Sequence, residues 1–367
     1  MARQIKAAVL YEYGKPMVVE TVELDGPRAG EVLVRVGATG VCHSDYHVIK
    51  GEWSVPLPMV LGHEAAGVVE EVGPGVTLVK PGDHVVLNFR AHCGRCYYCN
   101  IGRPVLCDGV PTSRWVMFDG TTRLSKEGRP IYHMARVASF AEYAVVPETG
   151  AVPVRKDVPL DRAALIGCAV MTGVGAVVNT AKVPAGSSVA VVGCGGVGLN
   201  ILQGAALVGA DPIIAVDVLE GKLAYAREFG ATHTVDAAQT DPVAEVRRIT
   251  GGGVDFAFEA IGNGRTIRQA YEMTRPGGTT VVVGMAPEGD EFAINALSLP
   301  RTEKVIMGCW YGSARPWVDL PRMADLYLAG KVKVDPLISR HYTLDQINEA
   351  FEALGRGELK RGVVVFG

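Results

Sequence analysis

Four of the chain's eight cysteines fall in one fifteen-residue stretch, CGRCYYCNIGRPVLC at residues 93–107. The spacing C-x2-C-x2-C-x7-C lets Cys93, Cys96, Cys99 and Cys107 wrap one tetrahedral ion, and zinc is the usual occupant of such a set. An iron–sulfur cluster is the rival. Its compact pattern closes with a three-residue gap and a Pro, whereas here the last gap is seven residues and Asp108 follows. Four sulfurs leave no open coordination position, so this ion would stabilise a lobe rather than catalyse.

Two further constellations carry chemistry. GVCHSDYH supplies Cys42, His43, Ser44, Asp45 and His47, and VLGHEAAG supplies His63 and Glu64. Downstream, Gly193, Gly195, Gly196, Val197 and Gly198 form a GCGGVG turn between a strand-like run and a helix-like run, and the next strand-like run ends at Asp217. In that setting the first glycine permits the turn and the second lets a pyrophosphate approach the helix N-terminus. The acidic residue then accepts hydrogen bonds from a ribose diol. NAD is expected rather than NADP, whose extra phosphate would meet Asp217 and Glu220 with Lys222 as the nearby cation. The alternative is a packing turn without ligand, and Cys194 within it reads as a small buried filler.

These residues need elements to hold them. EVLVRVGATG at residues 31–40 alternates apolar and other side chains, and AAGVVEEVGPGV and DHVVLNF add short β-rich runs punctuated by Gly and Pro. They predict an irregular, mostly antiparallel β-domain. From about residue 181 the pattern becomes βαβ: SVAVV, IIAVDV, VDFAFEA and TTVVVGM read as strands, with helical runs between them. The fold class expected is α/β, with a doubly wound parallel sheet after the β-rich domain. PRMADLYLAGK and LDQINEAFEALGRGE read as helices, and the closing strand GVVVFG is expected to return to the first domain.

Composition excludes several classes. A length of 367 residues, 48% hydrophobic and 20% charged, indicates a packed chain of two domains, or three at most. The net charge of -3 supplies no basic excess for nucleic acid or an anionic membrane surface. Residues 189–210 are apolar enough to resemble a membrane span, but their bunched glycines suit a strand-to-helix turn instead. The N-terminal run MARQIKAAVLYEYGK lacks a secretory h-region, so a cytoplasmic location is expected.

In combination, GVCHSDYH, GHEAAGVVEEVG, PGDHVV, the four-cysteine lobe, GCAVMTGVGA, VVGCGGVG and AVD resemble the zinc-containing alcohol dehydrogenases of the medium-chain dehydrogenase family, over nearly the whole chain. The resemblance implies a GroES-like catalytic domain at residues 1–170 with the zinc lobe at about 91–108, a Rossmann domain at 171–312, and a C-terminal return at 313–367. It implies two zinc ions per subunit, with Cys93, Cys96, Cys99 and Cys107 on the structural ion and Cys42, His63 and Cys168 on the catalytic one. Spacing alone does not select Cys168 over Cys309; the family pattern does. By the same resemblance, Asp45 orients His63, Glu64 approaches the metal during ligand exchange, and Ser44 passes the substrate proton to His47. His43 and Arg361 contact the pyrophosphate, Thr172 and Val197 lie near the nicotinamide, and Trp53, Phe89 and Met134 line an apolar slot.

Zinc suits this chemistry because it can lower the pKa of water from about 16 to about 7, roughly 12 kcal/mol of differential stabilisation. The expected activity is reversible oxidation of medium-chain or aromatic primary alcohols with NAD. The alternative within the family is oxidation of formaldehyde as its glutathione or mycothiol adduct. The long segment between Cys107 and Phe140 resembles that branch, while Pro111 stands where its glutathione-dependent members place an Arg. A different class, a non-enzymatic NAD-binding structural zinc protein, predicts a damaged reactive set, which this chain does not have. The family also implies a homodimer or homotetramer.

Overall fold

The computed structural model describes residues 2–367, and the chain divides into two compact units. The first takes the residues up to Cys168 with Arg315–Ala329 and Val334–Gly367; the second takes Ala169–Ala314 and Gly330–Lys333.

In the first unit the central strand is Glu31–Val41, paired antiparallel with Ala65–Val72, Tyr143–Pro147 and Arg361–Val365. Apolar and other side chains alternate along it, yet only Arg35 is exposed. Small residues account for the difference. A Cβ added at Gly37 would lie 2.4 Å from Leu160 Cδ1, and one at Gly40 would lie 2.7 Å from the Glu64 carboxyl. Those glycines let other groups close over the face that a larger side chain would keep open. A small closed barrel of Arg3–Leu10, Val18–Leu24, Leu124–Lys126, Arg129–His133 and Met59–Val60 completes the β-structure. Ile5, Val9, Leu10, Met59, Leu61 and Phe140 belong to the apolar cluster that the barrel helps enclose.

The closing strand Arg361–Val365 lies antiparallel to Glu31–Val41, with Gly362 opposite Val41. This register brings Arg361, the first residue of the closing strand, next to Cys42.

Among the described residues, the second unit holds a parallel sheet ordered His233–Asp236, Ile213–Asp217, Val189–Val192, Val254–Glu259, Thr274–Val282 and Val305–Gly308. That order is doubly wound and reverses direction at Val189–Val192, where open α/β sheets place ligands at the carboxyl ends of their strands. Local signals fit the elements. The helix Pro242–Thr250 begins with Pro after Asp241, whose carboxylate accepts the Val243 and Ala244 N–H groups at 2.9 Å, and ends on Gly251 at φ 69°.

The apolar run at residues 189–210 is split by its glycine turn into the strand Val189–Val192 and the helix Gly196–Leu207. A different segment, Leu160–Ala181, forms a continuous helix of 22 residues, long and apolar enough to cross a membrane, but 78% of its apolar window is buried inside the protein. It includes two π-helical stretches, Ile166–Val170 and Ala176–Ala181.

Candidate active site

Three elements of the first unit converge on one cluster. Cys42 caps the helix His43–Ile49 in extended conformation at the end of the central strand, and His63 follows the short strand Met59–Val60. Cys168 lies in the π-helical stretch Ile166–Val170. A π-turn adds a residue to the helical circuit and re-aims side chains, and such turns recur at functional sites. The three buried side chains bring their ligand atoms within 4.8 Å of one another.

The geometry suits a tetrahedral ion. Cys168 Sγ lies 3.5 Å from His63 Nε2, close to the roughly 3.5 Å edge expected for Zn–S near 2.3 Å and Zn–N near 2.05 Å. On the far side of the ring, His63 Nδ1 is 3.3 Å from Asp45 Oδ1, which also accepts the Gly62 N–H at 2.8 Å. That contact turns Nε2 toward the sulfurs, as supporting carboxylates do for metal-binding imidazoles. The Phe89 ring meets His63 edge-on at 5.3 Å.

Charge points the same way. Asp45 and Glu64 are fully buried beside two thiols, an arrangement that requires positive charge among them. A hydrogen bond from Cys168 holds the Cys42 thiol well below its usual range, against burial, with help from Arg361 and His63. Burial opposes charge on His63, but Asp45 and Cys42 outweigh it and raise the imidazole. A cation held by Cys42, His63 and Cys168 answers this excess of negative charge and leaves a fourth position for a substrate oxygen.

Arg361 is buried, with Nε 3.6 Å from Glu64 Oε2 and Nη2 3.9 Å from Cys42 Sγ. The strand register places it there, and its guanidinium counters the Glu64 carboxylate. Along the helix His43–Ile49, His43 is exposed while Ser44 and His47 are half-buried. His47 stacks on Trp53 at 4.7 Å, and its Nδ1 contacts the Glu52 carboxylate. Glu52 carried no signal in the sequence, because nothing about a lone acid five residues beyond a His marks it as a partner. Trp53 and Phe89 pack against the apolar cluster that contains buried Met134.

The second cluster gathers Cys93, Cys96, Cys99 and Cys107, again with ligand atoms within 4.8 Å of one another. Neighbouring sulfurs stand 3.5 to 3.7 Å apart, near the edge of about 3.8 Å that a Zn–S distance of about 2.3 Å requires. The N–H groups of Arg95 and Cys96 both point at Cys93 Sγ, at 3.4 and 3.3 Å. Gly109 makes room for them, since a Cβ there would lie 2.5 Å from Cys93 Sγ.

In the second unit, Gly193 turns the chain after Val189–Val192 at φ +98°. A Cβ on Gly198 would lie 1.8 Å from the Gly193 carbonyl oxygen, whereas one on Gly195 would meet nothing within 4 Å. One glycine thus allows close helix packing, and the other leaves the approach to the helix Gly196–Leu207 open, with Val197 half-buried in its first turn. Asp217 accepts N–H groups from Cys194 and Val218 at 2.8 Å and from Leu219 at 3.0 Å, which ties its strand end to the glycine turn. Lys222 lies close enough to act electrostatically on buried Cys194. Thr172 is half-buried in the helix Met171–Gly175. Cys309, the thiol that spacing alone could not set aside, receives a hydrogen bond from Thr180 Oγ1 at 3.2 Å and stands outside both cysteine clusters.

A GroES-like unit with a thiolate–imidazole metal set and a Rossmann unit with a dinucleotide turn define a metal-dependent dehydrogenase. Residues 28–156 match the family profile described as alcohol dehydrogenase GroES-like domain, and residues 196–329 match the one described as zinc-binding dehydrogenase. The chain belongs to the zinc-containing alcohol dehydrogenases of the medium-chain dehydrogenase family, and it is a zinc-dependent oxidoreductase. It is 42% identical to an S-(hydroxymethyl)glutathione dehydrogenase of Paracoccus denitrificans, across 98% of this chain and 99% of that one. An NDMA-dependent alcohol dehydrogenase of Amycolatopsis methanolica is 41% identical, across 98% of each chain. The crystal structure of a benzyl alcohol dehydrogenase from Acinetobacter calcoaceticus superposes with a TM-score of 0.94 at 36% identity, over 100% of both chains.

Proposed function

We propose that the chain oxidises a –CH2OH group to a carbonyl with NAD, using two zinc ions per subunit, and that its substrate is the thiol adduct of formaldehyde. The observation that carries the reaction type is the buried Cys42–His63–Cys168 set with Asp45 behind the imidazole. The thiol adduct displaces the free primary alcohol expected first from the sequence because the first relatives, at 41–42% identity and full length, are named S-(hydroxymethyl)glutathione dehydrogenase and class-3 alcohol dehydrogenase. Pro111, standing where glutathione-dependent members place an Arg, counts against glutathione as the thiol, and mycothiol is the alternative.

Zinc on those three ligands supplies Lewis acidity that acidifies a hydroxyl group and so favours loss of hydride. The protein does the rest. Ser44 would take the hydroxyl proton and hand it by way of the nicotinamide ribose to His47, which Glu52 holds by Nδ1. Asp45 fixes the His63 ring, and Glu64 with Arg361 balances charge behind the cluster. The glycine turn and Asp217 would hold NAD, which would supply the hydride acceptor; by the family resemblance His43 and Arg361 would serve its pyrophosphate, and Thr172 and Val197 its nicotinamide.

A second reading, a free aromatic alcohol, is favoured by Trp53, Phe89 and Met134 and by the benzyl alcohol dehydrogenase neighbour. Steady-state NADH formation decides between them. With formaldehyde, the rate should depend strictly on mycothiol or glutathione; full activity on benzyl alcohol or hexanol with no thiol-dependent formaldehyde oxidation would overturn the adduct reading. The chain is proposed to form a homodimer or a homotetramer, and a cytoplasmic location fits eight cysteines none of which is paired in a disulfide.

A further inference from the structure

Glu259 ends the strand Val254–Glu259 at the carboxyl edge of the Rossmann sheet, between Val192 and Val282 of the flanking strands. It is fully buried, and burial raises its carboxyl. One oxygen, Oε1, accepts three hydrogen bonds: from the N–H groups of Ile261 at 2.9 Å and Gly262 at 2.7 Å, and from Thr266 Oγ1 at 2.8 Å. The other, Oε2, has no hydrogen-bond partner among the described residues and sits in a slot kept open by glycine, where a Cβ on Gly284 would lie 2.6 Å away. Gly262 is at φ +91°, and its Cβ would lie 2.3 Å from the Met285 carbonyl oxygen. The turn held by this carboxylate presents Ile261, half exposed, to the first glycine of the dinucleotide turn. A Cβ at Gly193 would lie 2.5 Å from Ile261 Cγ1.

A buried carboxylate is costly, and this one gathers a loop rather than an opposite charge. We infer that Glu259 is a positioning residue for the cofactor: it pins the 260–263 turn so that Ile261 backs the Gly193 turn against which the dinucleotide binds. The inference rests on the proposed NAD site and extends it to a residue outside the glycine motif.

NADH titration of the zinc-loaded protein, followed by nucleotide fluorescence, tests it. Glu259→Ala leaves two N–H groups and a hydroxyl without their acceptor, and should weaken NADH binding about tenfold or more. Glu259→Gln keeps a carbonyl oxygen for the three donors and should bind NADH with an affinity close to that of wild type. Zinc content should be unchanged in both. If Glu259→Ala lowers the melting temperature but binds NADH like wild type, the inference is overturned. Should that variant not fold, Thr266→Val removes one donor and keeps the carboxylate. Weakening of about threefold supports the inference, and unchanged affinity overturns it. A wild-type protein that binds no NADH would instead overturn the proposed function, and this inference with it.

Discussion

Cys168 and His63 are 105 residues apart in sequence and 3.5 Å apart in space. Cys168→Ser should reduce zinc from two ions per chain to one and lower NADH formation by at least about a thousandfold, because the Lewis acid is then lost or misplaced. Metal analysis and turnover on the same preparation check it; two ions with full turnover would exclude Cys168 as a ligand. Asp45→Asn keeps the shape of the side chain but weakens its hold on the imidazole. About 10- to 100-fold is expected in zinc affinity or turnover, the usual cost of losing a supporting carboxylate. At this scale much was legible. The four-cysteine spacing and the strand–glycine–helix context need only local chain geometry, since a lobe of fifteen residues can close on its own ion. The choice between Cys168 and Cys309 needed the family pattern, because no local rule relates a thiol to a histidine so distant in the chain.

Elements were readable where local pattern and flanking turns agreed. The inner strands of the parallel sheet, Val189–Val192 and Ile213–Asp217, are buried on both faces and show as short apolar runs, while the helix Gly264–Met273 carries a one-sided helical period. Leu160–Ala181 does not: it is apolar on nearly every face and includes Gly167, Gly173 and Gly175, so neither period nor propensity marks it as helix. Only its surroundings stabilise it.

The strand Arg129–His133 supports a pH prediction. Its last residue, His133, is buried and accepts the Arg123 N–H on Nε2 at 2.8 Å. Burial, with Arg123 adding like charge, pushes its pKa down to about 3. An unfolded histidine titrates near 6.5, so between about pH 6.5 and 3 the unfolded chain binds a proton that the folded one refuses. This residue's contribution is complete above pH 6.5 and falls by about 1.4 kcal/mol per unit as the pH drops below it. Chemical denaturation of wild type and His133→Gln at pH 6.5 and 5 should differ in slope by about one proton, roughly 2 kcal/mol over that span. Parallel slopes would refute it.

The whole molecule keeps its two metal sets in the first unit and its dinucleotide turn in the second. The structural lobe should therefore affect stability before chemistry. Cys99→Ser should lose one zinc ion and lower the melting temperature by roughly 5–10 °C, the scale expected when a few kcal/mol of metal binding leave a chain of this size. Differential scanning calorimetry with zinc analysis reads both. For the proposed homo-oligomer, Val305–Gly308 closes one end of the parallel sheet order, with Val305 exposed. Met307→Pro on that strand removes a backbone donor and should shift the mass measured by light scattering toward the monomer; an unchanged mass would place the interface elsewhere.

The amino-acid order by itself determined what depends on near neighbours: the cysteine lobe, the glycine turn with its acidic partner, the β-rich first part and the βαβ second part. Tertiary structure alone decided what depends on the returning chain. It set Arg361 beside Cys42 and Glu64 rather than on the surface, closed both faces of the central strand, and placed Glu259 behind the cofactor turn. The reason is physical: a side chain's charge and exposure are set by whichever distant segment packs against it, and sequence patterns report only the segment they are written on.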